Sequence, residues 1–246
     1  VLVILSLCVN LIVNAQADVF VWQNGQYTKI EQVDSITFGG MFEAGNFVNG
    51  HEYVDLGLPS GLKWATCNVG ATSPNEFGSY YAWGETAPKD TFTVATYSWN
   101  KDTYNNLTKY NTNRHYGAID NLKILTADDD AATVNWGVSW RTPTLEEFSE
   151  LIDGCTWEWT SNYNGTNYSG QIGTSKVNGN TIFLPAAGER VSTKTDERHI
   201  KGYYWTSTLN YNGPHEAAYF TIREVGDPTW ATYFRFHGYS VRAVTE

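Results

Sequence analysis

Any chemistry in this chain of 246 residues has to come from a small set of side chains. Five histidines, His51, His115, His199, His215 and His237, are scattered, and none lies in a metal-protease helix or a nucleophile elbow. The adjacent carboxylates Glu146 and Glu147 could act as glycosidase acid and base, but they open a helix whose cap and dipole need them. Asp128-Asp129-Asp130 offers hard oxygen ligands for calcium. An EF-hand loop would need further ligands at alternate positions and a glycine at the sixth, and these are absent, so N-capping accounts for the aspartates. No glycine-rich phosphate loop occurs. The sequence therefore implies no catalytic residue, no metal and no cofactor.

Aromatic side chains are the more suggestive feature. Trp205, Tyr211, Trp230, Tyr233, Arg235 and His237 crowd into the C-terminal part of the chain. Across Thr229-Trp230-Ala231-Thr232-Tyr233-Phe234-Arg235-Phe236-His237, strand alternation puts Tyr233, Arg235 and His237 on one face, with Phe234 and Phe236 on the other. Phe234 and Phe236 are expected to fill the core. The polar-aromatic set suits a ligand-binding face, because Tyr, Trp and Arg are typical contact anchors. It equally fits a solvated sheet edge.

Composition narrows the partners. Charged residues are 17% of the chain and aromatics 15%, with 22 glycines, a mix typical of loop-rich, largely β proteins. A net charge of -10 with no Lys/Arg run argues against nucleic acid and against anionic membrane surfaces. Residues 1–17 read as the later part of a signal peptide: a short apolar run from Val1 to Val9, then Ala15-Gln16-Ala17 as small cleavage-site residues. The run is short and is interrupted by Asn10 and Asn14, so a lasting membrane span is the weaker reading. Lipidation at Cys8 is weaker still, since the bulky Leu7 precedes it. Export leaves Cys67 and Cys155, which are either one disulfide or two buried thiols.

Several elements must position these groups. Asn24-Gly25 between two alternating runs predicts a type I′ hairpin over residues 18–30, with a third strand at 33–38. Gly39-Gly40, Gly45, Asn49 and Gly50 mark a link, so residues 18–48 form a spacer before a main domain at 49–246. Strands are predicted at 53–58 and 62–69, around Pro59-Ser60-Gly61. Residues 73–119 lack periodicity. A short helix follows at 128–137, and a second begins after Pro143. There Thr144 and Glu147 form a capping box, Leu145, Phe148, Leu151 and Ile152 share a face, and Gly154 is read as the residue just past the end. Further strands are predicted at 181–187, 203–208, 216–223, 229–236 and 239–244, the last with Arg242 in an apolar alternation. The Trp140–Thr144 turn and this closing strand, about a hundred residues apart, suggest a domain whose ends are pinned together.

Several of these segments form an ordered set: His51-Glu52-Tyr53-Val54-Asp55-Leu56-Gly57-Leu58-Pro59-Ser60-Gly61, Trp64-Ala65-Thr66-Cys67-Asn68-Val69-Gly70-Ala71, Tyr81-Ala82-Trp83-Gly84-Glu85-Thr86, Asp129-Asp130-Ala131-Ala132, Trp136-Gly137, Trp140-Arg141-Thr142-Pro143-Thr144, Gly202-Tyr203-Tyr204-Trp205-Thr206-Ser207 and Ser240-Val241-Arg242-Ala243-Val244. In this order they resemble the Fibrobacter succinogenes major paralogous domain family of exported Bacteroidetes-type proteins, over roughly residues 50–246. The resemblance implies an α+β, C-type-lectin-like, formylglycine-generating-enzyme-like scaffold with two short helices, twisted antiparallel strands and long ligand-carrying loops. It implies no activity. The late cysteine pair of the formylglycine-generating enzymes and the Glu-Pro-Asn, Gln-Pro-Asp and Trp-Asn-Asp signatures of calcium-dependent lectins are missing.

The function expected from these readings is non-catalytic binding of a glycan or surface protein, at the cell surface or after secretion, through Trp205, Tyr211, Trp230, Tyr233, Arg235 and His237. The alternatives are a polysaccharide-active enzyme and a structural or adhesin subunit of the envelope.

Overall fold

The computed structural model describes residues 19–23, 26–30 and 46–246. The chain divides into two compact units, Val1–Ala44 and Gly45–Glu246. In the first, β1 (Val19–Gln23) pairs antiparallel with β2 (Gln26–Ile30), and Gln23 stands opposite Gln26. That register leaves two connecting residues, the hairpin expected around Asn24-Gly25. The signal-peptide reading of residues 1–17 and the third strand at 33–38 fall outside the described residues.

The second unit is mostly antiparallel β-sheet with two α-helices, an α+β architecture. It begins with β3 (Phe47–Val48) and β4 (His51–Asp55), joined through Asn49 and Gly50, which both have positive φ. Two left-handed residues in a row match the twist of the flanking strands. The pair expected to mark a link is therefore a tight turn, and Asn49 fixes it by donating from Nδ2 to the Trp136 carbonyl at 3.2 Å.

The two ends of the second unit meet in one sheet. β5 (Lys63–Ala65) lies between β4 and the closing strand β14 (Val244–Thr245), giving the order β14-β5-β4-β3. Val244 stands opposite Trp64 and also exchanges backbone hydrogen bonds with Arg141 at 2.9 and 3.1 Å. The Trp140–Thr144 turn and the C-terminal strand thus pair directly. Residues 239–243 do not form the longer strand expected; Tyr239 bridges Tyr81 and Ser240 bridges Tyr204 singly. Arg242 is fully buried here, donating from Nε to Asn68 and from Nη1 to the Ala65 and Thr66 carbonyls.

Both predicted helices are present. α1 (Ala131–Trp136) is capped by Asp130, which accepts from the Ala132 and Thr133 amides and from Thr142, tying the helix to the next turn. In α2 (Leu145–Gly154) the capping box is complete: Thr144 accepts from the Glu147 amide, and Glu147 accepts from the Thr144 amide. Glu147 also holds Arg141 at 2.6 and 2.7 Å. Phe148 stacks on Phe220 and meets Trp64 edge-on. Gly154 is not the left-handed residue past the helix; it is the last helical residue, and Cys155 is the C-cap. Its role is steric, because a Cβ there would lie 2.3 Å from Leu58.

A second sheet runs β6 (Cys155–Thr160), β7 (Gly170–Ser175) and β8 (Thr181–Pro185), followed by the small ribbon β9 (Glu189–Val191) and β10 (Lys194–Asp196). Of these only β8 is legible in the sequence. β7 carries Gly173, and a Cβ at this position would lie 2.7 Å from the Trp157 ring of β6. The glycine that hides the strand is what lets the indole lie across it.

The third sheet is β11 (Lys201–Leu209), β12 (Glu216–Arg223) and β13 (Thr229–Phe234), in that order, with β13 at an open edge. The aperiodic residues 73–119 contain only short 3-10 turns and isolated bridges, such as Tyr81 with Tyr239 and Phe92 with Ser192. No described helix is long and apolar enough to cross a membrane.

Candidate ligand-binding surface

The structure separates the six expected contact residues by burial. Trp230, Tyr233 and Tyr211 are 55%, 41% and 58% exposed, whereas Trp205, Arg235 and His237 are 1%, 1% and 7% exposed. The expected alternation fails because the chain leaves the ladder after Phe234. Beyond that point backbone pairing no longer dictates side-chain direction, and Arg235 turns inward while Phe234 and Phe236 remain partly exposed. Its guanidinium donates to the Tyr97 hydroxyl and to the Tyr110, Pro214 and Lys109 carbonyls. His237 turns to Glu189, with Nδ1 at 2.9 Å from the carboxylate. Trp205 donates its indole N–H to the Tyr81 carbonyl and stacks on Tyr239.

Three of the six residues therefore serve the interior. Trp205 and Tyr239 belong to one aromatic cluster with Tyr203 and Tyr219. Burial, followed by the Glu197 carboxylate, pushes the Tyr203 hydroxyl upward; burial, followed by Glu189, does the same at Tyr239. These phenols stay protonated and act as packing and hydrogen-bonding groups.

The exposed three stand in different surroundings. Tyr211 lies between β11 and β12, where Thr112 holds its carbonyl and Lys123 sits 5.3 Å from its ring centroid. Tyr233 meets His237 edge-on at 4.7 Å. Trp230 aligns with Phe220 and Tyr233 with Ala217, positions of opposite parity, so the two rings occupy opposite faces of β13.

Of the six, Trp230 borders a sizeable concavity. An open groove of about 820 Å³ runs between Trp230, α2 and the Leu58-Pro59 turn. A second concavity of about 380 Å³ meets the same indole beside Pro228 and Thr229. Glu146, Glu150 and Asp153, spaced by four and three residues, put three carboxylates along one side of α2 toward the groove. Glu150 is held by the Ser60 amide at 3.0 Å and hydroxyl at 2.7 Å. Lys176 also lines the groove, with its ammonium bound to the Asp153 carbonyl at 2.8 Å. Sequence reasoning found Trp230 but missed the rest, since the groove joins segments nearly a hundred residues apart and Glu146 has a sufficient explanation as a dipole partner.

Glycosidic hydrolysis needs carboxyl groups flanking the scissile bond, whereas these three carboxylates line one helix face. Among the described residues no group of three His, Cys, Asp or Glu could hold a metal. Asp130 is occupied as a cap, and Asp129 accepts from Lys109 and the Tyr110 hydroxyl. Cys67 and Cys155 are both buried and free. They sit in different hydrophobic clusters, and burial raises both thiols, Cys155 to about 11. No protein-family model, no curated protein and no solved structure matches the chain.

Proposed function

We propose that this chain is an exported, non-catalytic binding protein, at the cell surface or secreted, that holds a glycan in the groove beside Trp230. The observation that carries this reading is an indole left 55% exposed above a groove edged by carboxylates. A flat, partly apolar ring gives a sugar face a stacking platform, and carboxylate oxygens accept from its hydroxyls. A C-type-lectin-like scaffold is part of the proposal. The pairing of β14 with β5 and with Arg141 supports it, as does the long irregular segment gathered around Arg235.

The test is a glycan-array screen of the wild type and W230A, followed by titration of the glycans found. Truncating a central aromatic anchor costs about 2 kcal/mol or more, so W230A should weaken binding roughly thirtyfold. Every glycan binding W230A as tightly as the wild type would remove the assignment.

A further inference from the structure

The groove's charge points to the kind of glycan. Glu146 and Asp153 are exposed, and no described basic side chain pairs with either carboxylate. Glu150 adds a third negative charge, already engaged by the neutral Ser60. Against these stands one ammonium, Lys176, whose hydrogen bond goes to a backbone carbonyl. The lining therefore carries three carboxylates and one ammonium, in a chain whose net charge is -10. A uronate or sulfated sugar entering beside Trp230 would meet like charge with little compensation, while a sugar bearing a free amine would meet unpaired acceptors.

We infer that the Trp230 groove selects an amino-bearing glycan over N-acetylated and anionic glycans. This rests on the glycan reading proposed above and adds its charge selectivity. The indole and the Leu58-Pro59 turn supply the apolar contact any pyranose would share. Glu146 and Asp153 supply the discrimination. In water an ammonium about 4 Å from a carboxylate gains about 1 kcal/mol, or about fivefold in affinity. Two such contacts set an upper expectation of about twenty-five-fold.

The experiment titrates the full chain, by intrinsic tryptophan fluorescence and calorimetry, with glucosamine hexamer, N-acetylglucosamine hexamer and a hyaluronan hexasaccharide. At low salt the glucosamine hexamer should bind about five- to twenty-five-fold tighter than its acetylated counterpart, and hyaluronan should bind weakest. Near 1 M salt, where the screening length is about 3 Å, the gap should fall below about twofold. The E146Q/D153N variant changes only exposed side chains and should lose the preference, binding the glucosamine and N-acetylglucosamine hexamers to within about twofold of each other; E150Q should alter the preference less. Equal affinity for the two hexamers in the wild type, or a preference that survives in E146Q/D153N, overturns the inference while leaving the glycan reading in place. Unchanged binding of every sugar to W230A overturns both. A lysine hexapeptide that competes with equal affinity, its binding also lost in W230A, replaces the amino sugar with a basic peptide and overturns the inference.

Discussion

Arg235 holds the irregular half of the second unit together, and replacing it should loosen that half specifically. Its guanidinium is 1% exposed and has no carboxylate among its described partners. Nε donates to the Tyr97 hydroxyl at 2.7 Å, Nη1 to the Pro214 and Tyr110 carbonyls at 2.8 and 3.2 Å, and Nη2 to the Lys109 carbonyl at 3.1 Å. The rings of Trp83, Tyr97 and Tyr110 surround it at 5.0 to 5.8 Å. A buried ion pair can often be replaced by apolar residues without loss, because both charges go together. Here the acceptors are backbone carbonyls, which no substitution at Arg235 removes. In R235M three carbonyls lose their donor, at about 1 kcal/mol each on the low side, and the cation–π contacts contribute about 1 kcal/mol more. The expected loss is about 4 kcal/mol, a fall in Tm of about 8–16 °C for a domain of this size. R235K keeps the charge but not the fork, and should lose about half as much. Urea denaturation measures the total. Trypsin cleavage after Lys101, Lys109 or Arg114 reads the loosening locally, and it should speed up in R235M. An R235M protein within about 0.5 kcal/mol of the wild type, with unchanged cleavage, would refute the reasoning.

Two further predictions concern titration and redox state. Burial pushes the Glu147 carboxyl up, but hydrogen bonds from Arg141 and the Thr144 amide more than offset it, leaving its pKa below the ordinary value. A depressed carboxylate stabilises the fold above its unfolded-state pKa and loses that contribution as pH falls through the folded one. The wild type should therefore lose more stability than E147Q from about pH 5 downward, and parallel pH profiles in urea melts would contradict this. Cys67 and Cys155 should resist thiol reagents in the native protein and both react in urea without reductant; the absence of both thiols in urea would mean a disulfide.

The parts of this protein legible in its sequence are those whose physics is local. The capping box of Thr144 and Glu147 and the strand at Glu216–Arg223 each depend on residues within a few positions, and each stands where the pattern places it; the short helix opens at Ala131, three residues later than expected, with Asp130 as its cap. Where partners are distant, the pattern misleads. β7 is hidden because Gly173 is chosen by the Trp157 ring of the neighbouring strand. Asn49 and Gly50 look like a link because flexible and left-handed positions favour the same residue types. Cys67 and Cys155 could not be paired or separated without knowing that they enter different cores.

The candidate site follows the same division. The sequence by itself determined that an aromatic strand lies near the C-terminus, that the chain's end returns beside the Trp140–Thr144 turn, and that Arg242 interrupts an apolar run. Tertiary structure decided which rings face solvent. It ends β13 at Phe234, so Arg235 and His237 are released from strand alternation and drawn to Tyr97 and Glu189. It also makes the groove, bringing Leu58, α2 and Trp230 together from three separate stretches of chain. Alternation is a rule of the hydrogen-bonded ladder and holds only as far as the ladder runs; a concavity is a property of distant surfaces and has no local signature.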